Sequence, residues 1–422
     1  MIKVNKFYVK RIVSIIAMTG VLFSMTGCSN KIKSTNLMKN VKASVIEKKE
    51  LDENFIKQTA NFSVKLFQKS AKENENSLIS PISVMMALSM TANGADTATK
   101  EEMGKLLAGG GAIDELNEYL YAYKNQLLSD SDNKFSLANA IWFRDDKDRL
   151  KVEPDFLQKN ANYYGAEAYE SPFDQTTVDD INQWVKDHTD GMIDNMVDTI
   201  NKDSVMYLLN AVAFDAKWEK PYTKNEVYSG EFTAWDGTIR SVDMMGSDEG
   251  LYLDDGNATG VIKNYKGGQY SFVALLPNEE VNVNDYLESL TGEHLLSIIE
   301  NAESATVVTR IPKFSYDYTI KMNDALKELG LQTAFDPDTA DFSKLGSSAD
   351  GNIYIGEVLH KSYISVDELG TKAGAATKVE MVTESAMVTG YEVSLNRPFV
   401  YAIIDNNTKL PIFLGTVMDI NC

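Results

Sequence analysis

Residues able to do acid–base or nucleophilic chemistry are few in this chain of 422 residues. It holds three histidines, His188, His294 and His360, and two cysteines, Cys28 and Cys422. No Gly-x-Ser-x-Gly elbow presents a hydrolase serine. No His-Glu-x-x-His, Cys-x-x-Cys or Cys/His cluster could hold a metal. Gly109 to Gly111 lead into an acidic helix, not into the Lys and Ser/Thr of a phosphate loop. Carboxylates abound, at 61 Asp plus Glu, yet no spacing singles out a glycosidase-like pair. Forty-one Lys plus Arg leave a net charge of −20 and no basic cluster, which argues against nucleic acid as a partner. The sequence therefore points away from an enzyme and implies no cofactor. His188 and His294 read as surface helix residues.

The stretch with an unusual pattern is Val366 to Arg397, VDELGTKAGAATKVEMVTESAMVTGYEVSLNR. Loops beyond about 12–15 residues without structure of their own are usually functional or disordered. Here period two is visible. Thr371, Ala373, Ala375, Thr377, Val379 and Met381 are all small or apolar. Lys372, Gly374, Ala376, Lys378, Glu380 and Val382 hold every charge. That alternation gives a strand one face for a core and one for water. Taken alone, the stretch fits a permanent half-buried strand or a Gly/Ala/Thr-rich linker.

The elements around it follow an α+β order, with helices dominating the first third and strands the later part. Phe55, Phe62 and Leu66 recur at helical spacing from about Leu51. Ser80-Pro81 reads as an N-cap and first turn of a helix ending near Asn93-Gly94. Val178 to Val197 reads as helical at first, broken at Gly191. Val205 to Phe214, VMYLLNAVAF, must be a strand buried on both faces, so Asn210 in its middle needs a partner. Phe232 to Met245 reads as a hairpin turning at Asp236-Gly237. Thr306 to Phe314 reads as a strand, Thr319 to Leu329 as a helix and Ile353 to Val366 as a long strand.

The N-terminus reads as an export signal. Lys3, Lys6, Lys10 and Arg11 form a basic region, and Ile12 to Thr26 an apolar one too short for a comfortable membrane span. Met25-Thr26-Gly27-Cys28 resembles a bacterial lipoprotein signal, with Met25 in place of the more usual Leu. This implies cleavage after residue 27, acylation of Cys28, a polar tether over 28–50 and one domain over 51–422. The protein is expected to be exported and held at the cell surface through its lipid, or released from there. Cys422 reads as a free terminal thiol.

Several segments, in order, resemble the serpin family. They are NSLISPISVMMALSMTANGA (Asn76 to Ala95), INQWVKDHTDGMI (Ile181 to Ile193), LNAVAFDAKWEKPY (Leu209 to Tyr222), IPKF (Ile311 to Phe314), LGLQTAFDPDTADFSKL (Leu329 to Leu345), VLHKSYISVDELGTKAGAAT (Val358 to Thr377) and NRPFVYAIIDNNTKLPIFLGTVMDI (Asn396 to Ile420). The resemblance implies three β-sheets, eight or nine helices and an exposed reactive-centre loop at about 367–395. It implies a monomeric suicide substrate of serine proteases, whose cleaved loop inserts into the main sheet and carries the covalently bound protease with it. Glu368, Gly370, Thr371, Ala373, Ala375, Ala376 and Thr377 match the hinge. Ser80, Ser83, Asn210 and His360 match a cluster beneath the opening sheet, with Asn210 and His360 as partners. Trp218 and Glu368 match positions where the loop enters; ordinary core packing explains Trp218 equally well.

In the family the cleaved bond follows the fifteenth residue from the hinge glycine, so the resemblance implies Glu384-Ser385 counted from Gly370, or Met387-Val388 counted back from Asn396. The hinge-side count is preferred. No Arg or Lys lies between Glu380 and Gly390, which disfavours trypsin-like targets and points to elastase-, subtilisin- or Glu-preferring proteases. Leu369, Lys372 and Gly374 depart from the family pattern. They motivate an alternative, a non-inhibitory serpin acting as a surface binding protein.

Overall fold

A computed structural model describes residues 32–130, 132–145, 150–201, 204–349, 351–371 and 390–420. Among these residues lie nine α-helices and three sheets, of seven, nine and two strands. The α+β class and the three-sheet architecture agree with the sequence reading.

The seven-stranded sheet runs, edge to edge, through Thr35–Asn36, Glu167–Ser171, Lys134–Arg144, Met206–Lys217, Gly370–Thr371, Glu357–Val366 and Phe314–Lys321. Its central strand, Met206–Lys217, is buried from Met206 to Phe214. Period two explains how. Met206, Leu208, Val212 and Phe214 join the main core, while Tyr207, Leu209 and Ala211 join a second cluster. That second cluster lies under the helix Gln175–His188, which contributes Val178, Ile181, Trp184 and Val185. Its spacing of three and four residues puts one apolar stripe on the sheet. Beneath the opposite face runs the helix Pro81–Ala92, buried at every position. Pro81 supplies the preset φ of a first turn, and Ser80 is its N-cap without a side-chain cap bond.

Three segments differ from expectation. The helix expected from Thr319 is shorter, Asn323–Glu328, because Phe314–Lys321 continues as a strand. Phe314 and Tyr318 are buried while Ser315, Asp317 and Thr319 are exposed, a period-two pattern that overrides helix propensity. The hairpin is confirmed around Asp236-Gly237, with Gly237 at φ 83°, but its strands are longer, Val227–Thr233 and Ile239–Asp254.

The third difference is the tether. From Ile32 onward it lies on the body. Thr35 and Asn36 pair with Glu170 and Tyr169 as an edge strand. The Asp180 carboxylate accepts from the backbone N–H of Lys33 (2.9 Å) and Ser34 (2.7 Å) and from the Ser34 hydroxyl (2.6 Å). The Lys49 ammonium reaches Glu115 at 3.0 Å and stands 4.2 Å over the Tyr119 ring. Over residues 32–50 the polar groups of this stretch find fixed partners on the domain.

Candidate functional site

The site is the seam between the central strand and Glu357–Val366. Along its lower part the two strands pair directly and in parallel, Tyr207 to Val212 against Glu357 to Ser362. Above, they separate and admit Gly370–Thr371, which pairs antiparallel with both: Gly370 with Lys217, and Thr371 with Ala216 and Val366. Thr371 is 1% exposed, and its hydroxyl is hydrogen-bonded to that of Tyr265. A Cβ on Gly370 would lie 2.0 Å from the Ala216 carbonyl oxygen, so only glycine fits this approach.

The turn leading into that strand is tightly held. The Asp367 carboxylate accepts from the N–H of Leu369 (2.8 Å) and Gly370 (3.2 Å). Trp218 donates its backbone N–H to Leu369 O and its indole N–H to Asp367 O, both at 2.9 Å. Tyr222 N–H donates to Glu368 O at 2.9 Å. The Glu368 carboxylate meets the Lys313 ammonium at 2.7 Å, and this hydrogen bond holds Glu368 below the usual carboxylate range. Trp218 is fully buried and stacks on Tyr265 at 4.5 Å and 9°.

Below lies a buried polar cluster. Ser80 N–H donates to His360 Nε2 at 3.1 Å. Nε2 is therefore the acceptor, and Nδ1 carries the proton and donates to Asn210 Oδ1 at 2.7 Å. Burial pushes His360 down to about 3, so it is neutral throughout the ordinary range. The Asn210 amide donates to Ser83 Oγ and, at 2.5 Å, to Asn139 Oδ1. Ser80 contributes its backbone to this cluster.

Sequence reasoning missed several members. Asn139 sits directly across from Asn210 in register; its signal was an amide inside the apolar run SLANAIWF. Ser362 Oγ donates to Leu78 O at 2.7 Å, tying the seam to the core. Tyr265 and Lys313 carried no local signal, because their partners are remote in sequence. His188 is not a bare surface residue. Its Nε2 lies 3.4 Å from Glu167 Oε1, and Nδ1 lies 2.8 Å from Trp184 O. Burial lowers His188, but the Glu167 carboxylate and the Trp184 carbonyl outweigh it and leave it raised. His294 Nε2 lies 3.1 Å from the Asp255 carboxylate. Ala373, Ala375, Ala376, Thr377, Glu384, Ser385, Met387, Val388 and Cys28 lie outside the described residues. Among the described residues no group of three His, Cys, Asp or Glu converges as a metal site, and no helix is long and apolar enough to cross a membrane.

A seam with a strand started at its top, above a neutral histidine that closes it below, belongs to a recognised class. Residues 57–420 match the profile of the Serpin (serine protease inhibitor) family, and the chain belongs to that family. Its members are generally protease inhibitors rather than enzymes. The chain is similar to the crystal structure of a thermophilic serpin, tengpin, in the native state, with 50% identity, a TM-score of 0.89 and coverage of 92% of this chain and 100% of that one. Against the latent state of tengpin the TM-score is 0.79 at 49% identity, covering 89% and 100%. An α-1-antitrypsin homolog of Cyprinus carpio is 32% identical over 64% of this chain and 72% of its own. Leukocyte elastase inhibitor A of Rattus norvegicus is 28% identical over 84% and 97%.

Proposed function

We propose that this protein is a suicide-substrate inhibitor of serine proteases that acts by inserting its cleaved loop into the seam. The observation that carries the reading is Gly370–Thr371, a two-residue strand already in register between the strands that must part. The protease serine oxygen attacks the carbonyl carbon of residue 384. Its acyl bond to the enzyme forms as the peptide bond to Ser385 breaks, and the amine of Ser385 leaves with the proton. The freed segment then continues the register already set. Residue 373 comes opposite Phe214 and Ile364, and residue 377 opposite Asn210 and His360. Side chains opposite one another in a sheet share a face, so the small residues 373, 375 and 377 go to the core side with Thr371. The hydrogen bond between His360 and Asn210 must break, together with the backbone pairing of Tyr207–Val212 with Glu357–Ser362. In exchange, one parallel pairing becomes two antiparallel ones, each slightly more stable per residue.

The scissile bond we favour is Glu384-Ser385, with Met387-Val388 as the alternative. Targets are elastase-, subtilisin- or Glu-preferring proteases. The absence of Arg and Lys near the bond and the name of the rat relative support this class. The test is incubation with a panel of such proteases, looking for an SDS-stable covalent complex. Thermal unfolding is then recorded before and after loop cleavage. Cleavage by every protease, with no complex and no rise in unfolding temperature, would sink the reading. That same result is what the second reading expects, a non-inhibitory surface binding protein. Leu369, Lys372 and Gly374 favour it, as departures from the family hinge.

We also propose that Cys28 is acylated and that the mature protein is an exported monomer at the cell surface. Labelled palmitate should enter the parent protein and not Cys28→Ala; equal labelling of both excludes it.

A further inference from the structure

Lys263 is 1% exposed, an uncommon place for a lysine. It lies in the strand Ala258–Asn264 of the nine-stranded sheet, two residues before Tyr265. Its ammonium is 2.5 Å from Glu249 Oε1, which also accepts from the Ser247 hydroxyl at 2.6 Å. It stands 4.4 Å from the Tyr222 ring centre and 5.4 Å from that of Trp218. These are the two residues whose backbone N–H groups hold Glu368 O and Leu369 O. Trp218 is therefore fixed by the stacked ring of Tyr265 and by a buried cation, and Tyr222 is fixed by the same cation.

We propose that Lys263, held by Glu249, is a positioning residue for the loop. It fixes Trp218 and Tyr222 so that residues 367–371 stay in register at the top of the seam. A buried ion pair is a poor device for stability, since desolvation opposes the Coulomb attraction, and apolar pairs of similar volume often do as well. What the pair adds here is directional. A cation attracted to two ring faces and one carboxylate has a single resting place, and the two rings take their orientation from it. A register prepared at the hinge shortens the interval between cleavage and insertion, and that interval decides whether a protease is trapped or escapes.

The test replaces the pair by Lys263→Met with Glu249→Met, which removes both charges together and leaves neither buried alone. In the intact protein, the amide protons of Trp218 and Tyr222 are followed by hydrogen exchange. They should exchange about tenfold faster or more, while the global unfolding midpoint stays at or above that of the parent. Lys263→Arg, which keeps a cation, should restore slow exchange. Should the double Met variant not fold, Lys263→Gln with Glu249→Gln takes its place. Unchanged exchange at both amides overturns the proposal. So does faster exchange matched by an equal loss of global stability. A second arm rests on the inhibitory reading: with a target protease, the share of variant cleaved as plain substrate should rise several-fold over the parent. A parent that never forms a complex removes that reading and leaves the exchange arm to decide on Lys263.

Discussion

His360 and Asn210 face each other across the seam as direct register partners, joined by a hydrogen bond of 2.7 Å from Nδ1 to Oδ1. Each belongs to one of the two paired strands that the proposed insertion would separate. Their bond is therefore both a tie within the native sheet and a barrier to the strand that would enter it. Asn210→Ala should leave His360 Nδ1–H buried without its acceptor, costing about 1–3 kcal/mol. Denaturant unfolding should show that loss as a lower midpoint. The variant should also gain thermal stability on loop cleavage at least as readily as the parent. A variant as stable as the parent contradicts the assignment.

The same histidine makes an acid prediction. His360 titrates at about 3 when folded and near 6.5 when unfolded. Between those values the unfolded chain binds the extra proton, so native stability falls as pH drops below about 6.5 and continues falling toward 3. His360→Gln removes that proton from the balance. Its stability should vary less with pH over this window than the parent's, as read from urea midpoints at several pH values. Parallel profiles would refute it.

The pair of His188 and Glu167 acts in the opposite sense. Burial raises Glu167, but hydrogen bonds from His188, Tyr169 and Trp184 bring it down to about 2, so its contribution is present above the ordinary value of 4.5 and is lost toward 2. His188 is raised, so its contribution is complete below its unfolded value and fades as pH rises through the folded one. The pair therefore ties the helix Gln175–His188 to the sheet most firmly in mildly acidic solution. His188→Gln should be less stable than the parent at pH near 5.5, with the gap narrowing near pH 9. A gap of constant size would show that charge plays no part.

At the hinge, space is the deciding quantity. Gly370→Ala places a methyl against the Ala216 carbonyl, and the backbone on both sides is fixed by the sheet. Expulsion of Gly370–Thr371 from the seam is the expected result, seen as lost protection of the Thr371 amide. Thr371→Arg puts a long cation at a fully buried position beside Tyr265. Loop cleavage of that variant should bring no rise in unfolding temperature, whereas a rise equal to the parent's would contradict the insertion register.

Much of this arrangement was legible in the sequence because it shows as chemistry out of place. Asn210 within VMYLLNAVAF needed a partner on any reading, and the small residues after Gly370 alternated as a strand would. Lys263, Glu249 and Lys313 were not legible in this way. A lysine in a strand ordinarily turns to water, and nothing local says that two rings and a carboxylate from distant segments close over this one. The contacts of the run from Ile32 to Glu50 were hidden for a related reason. Polar residues suit either water or a set of fixed partners, and Asp180, the acceptor for Lys33 and Ser34, lies on a helix well over a hundred residues away.

That run has a consequence for how copies of the protein meet. The strand Glu167–Ser171 would otherwise end the sheet, with a row of unpaired N–H and C=O groups facing outward. Such a row is a template for another chain. Thr35 and Asn36 occupy it, and Leu37 N–H closes on Ala168 O at 2.8 Å. That edge of the sheet is thus already taken by the chain's own N-terminal segment. The short N-terminal strand works as a blocked template, limiting the places at which a neighbour's chain could be mistaken for its own.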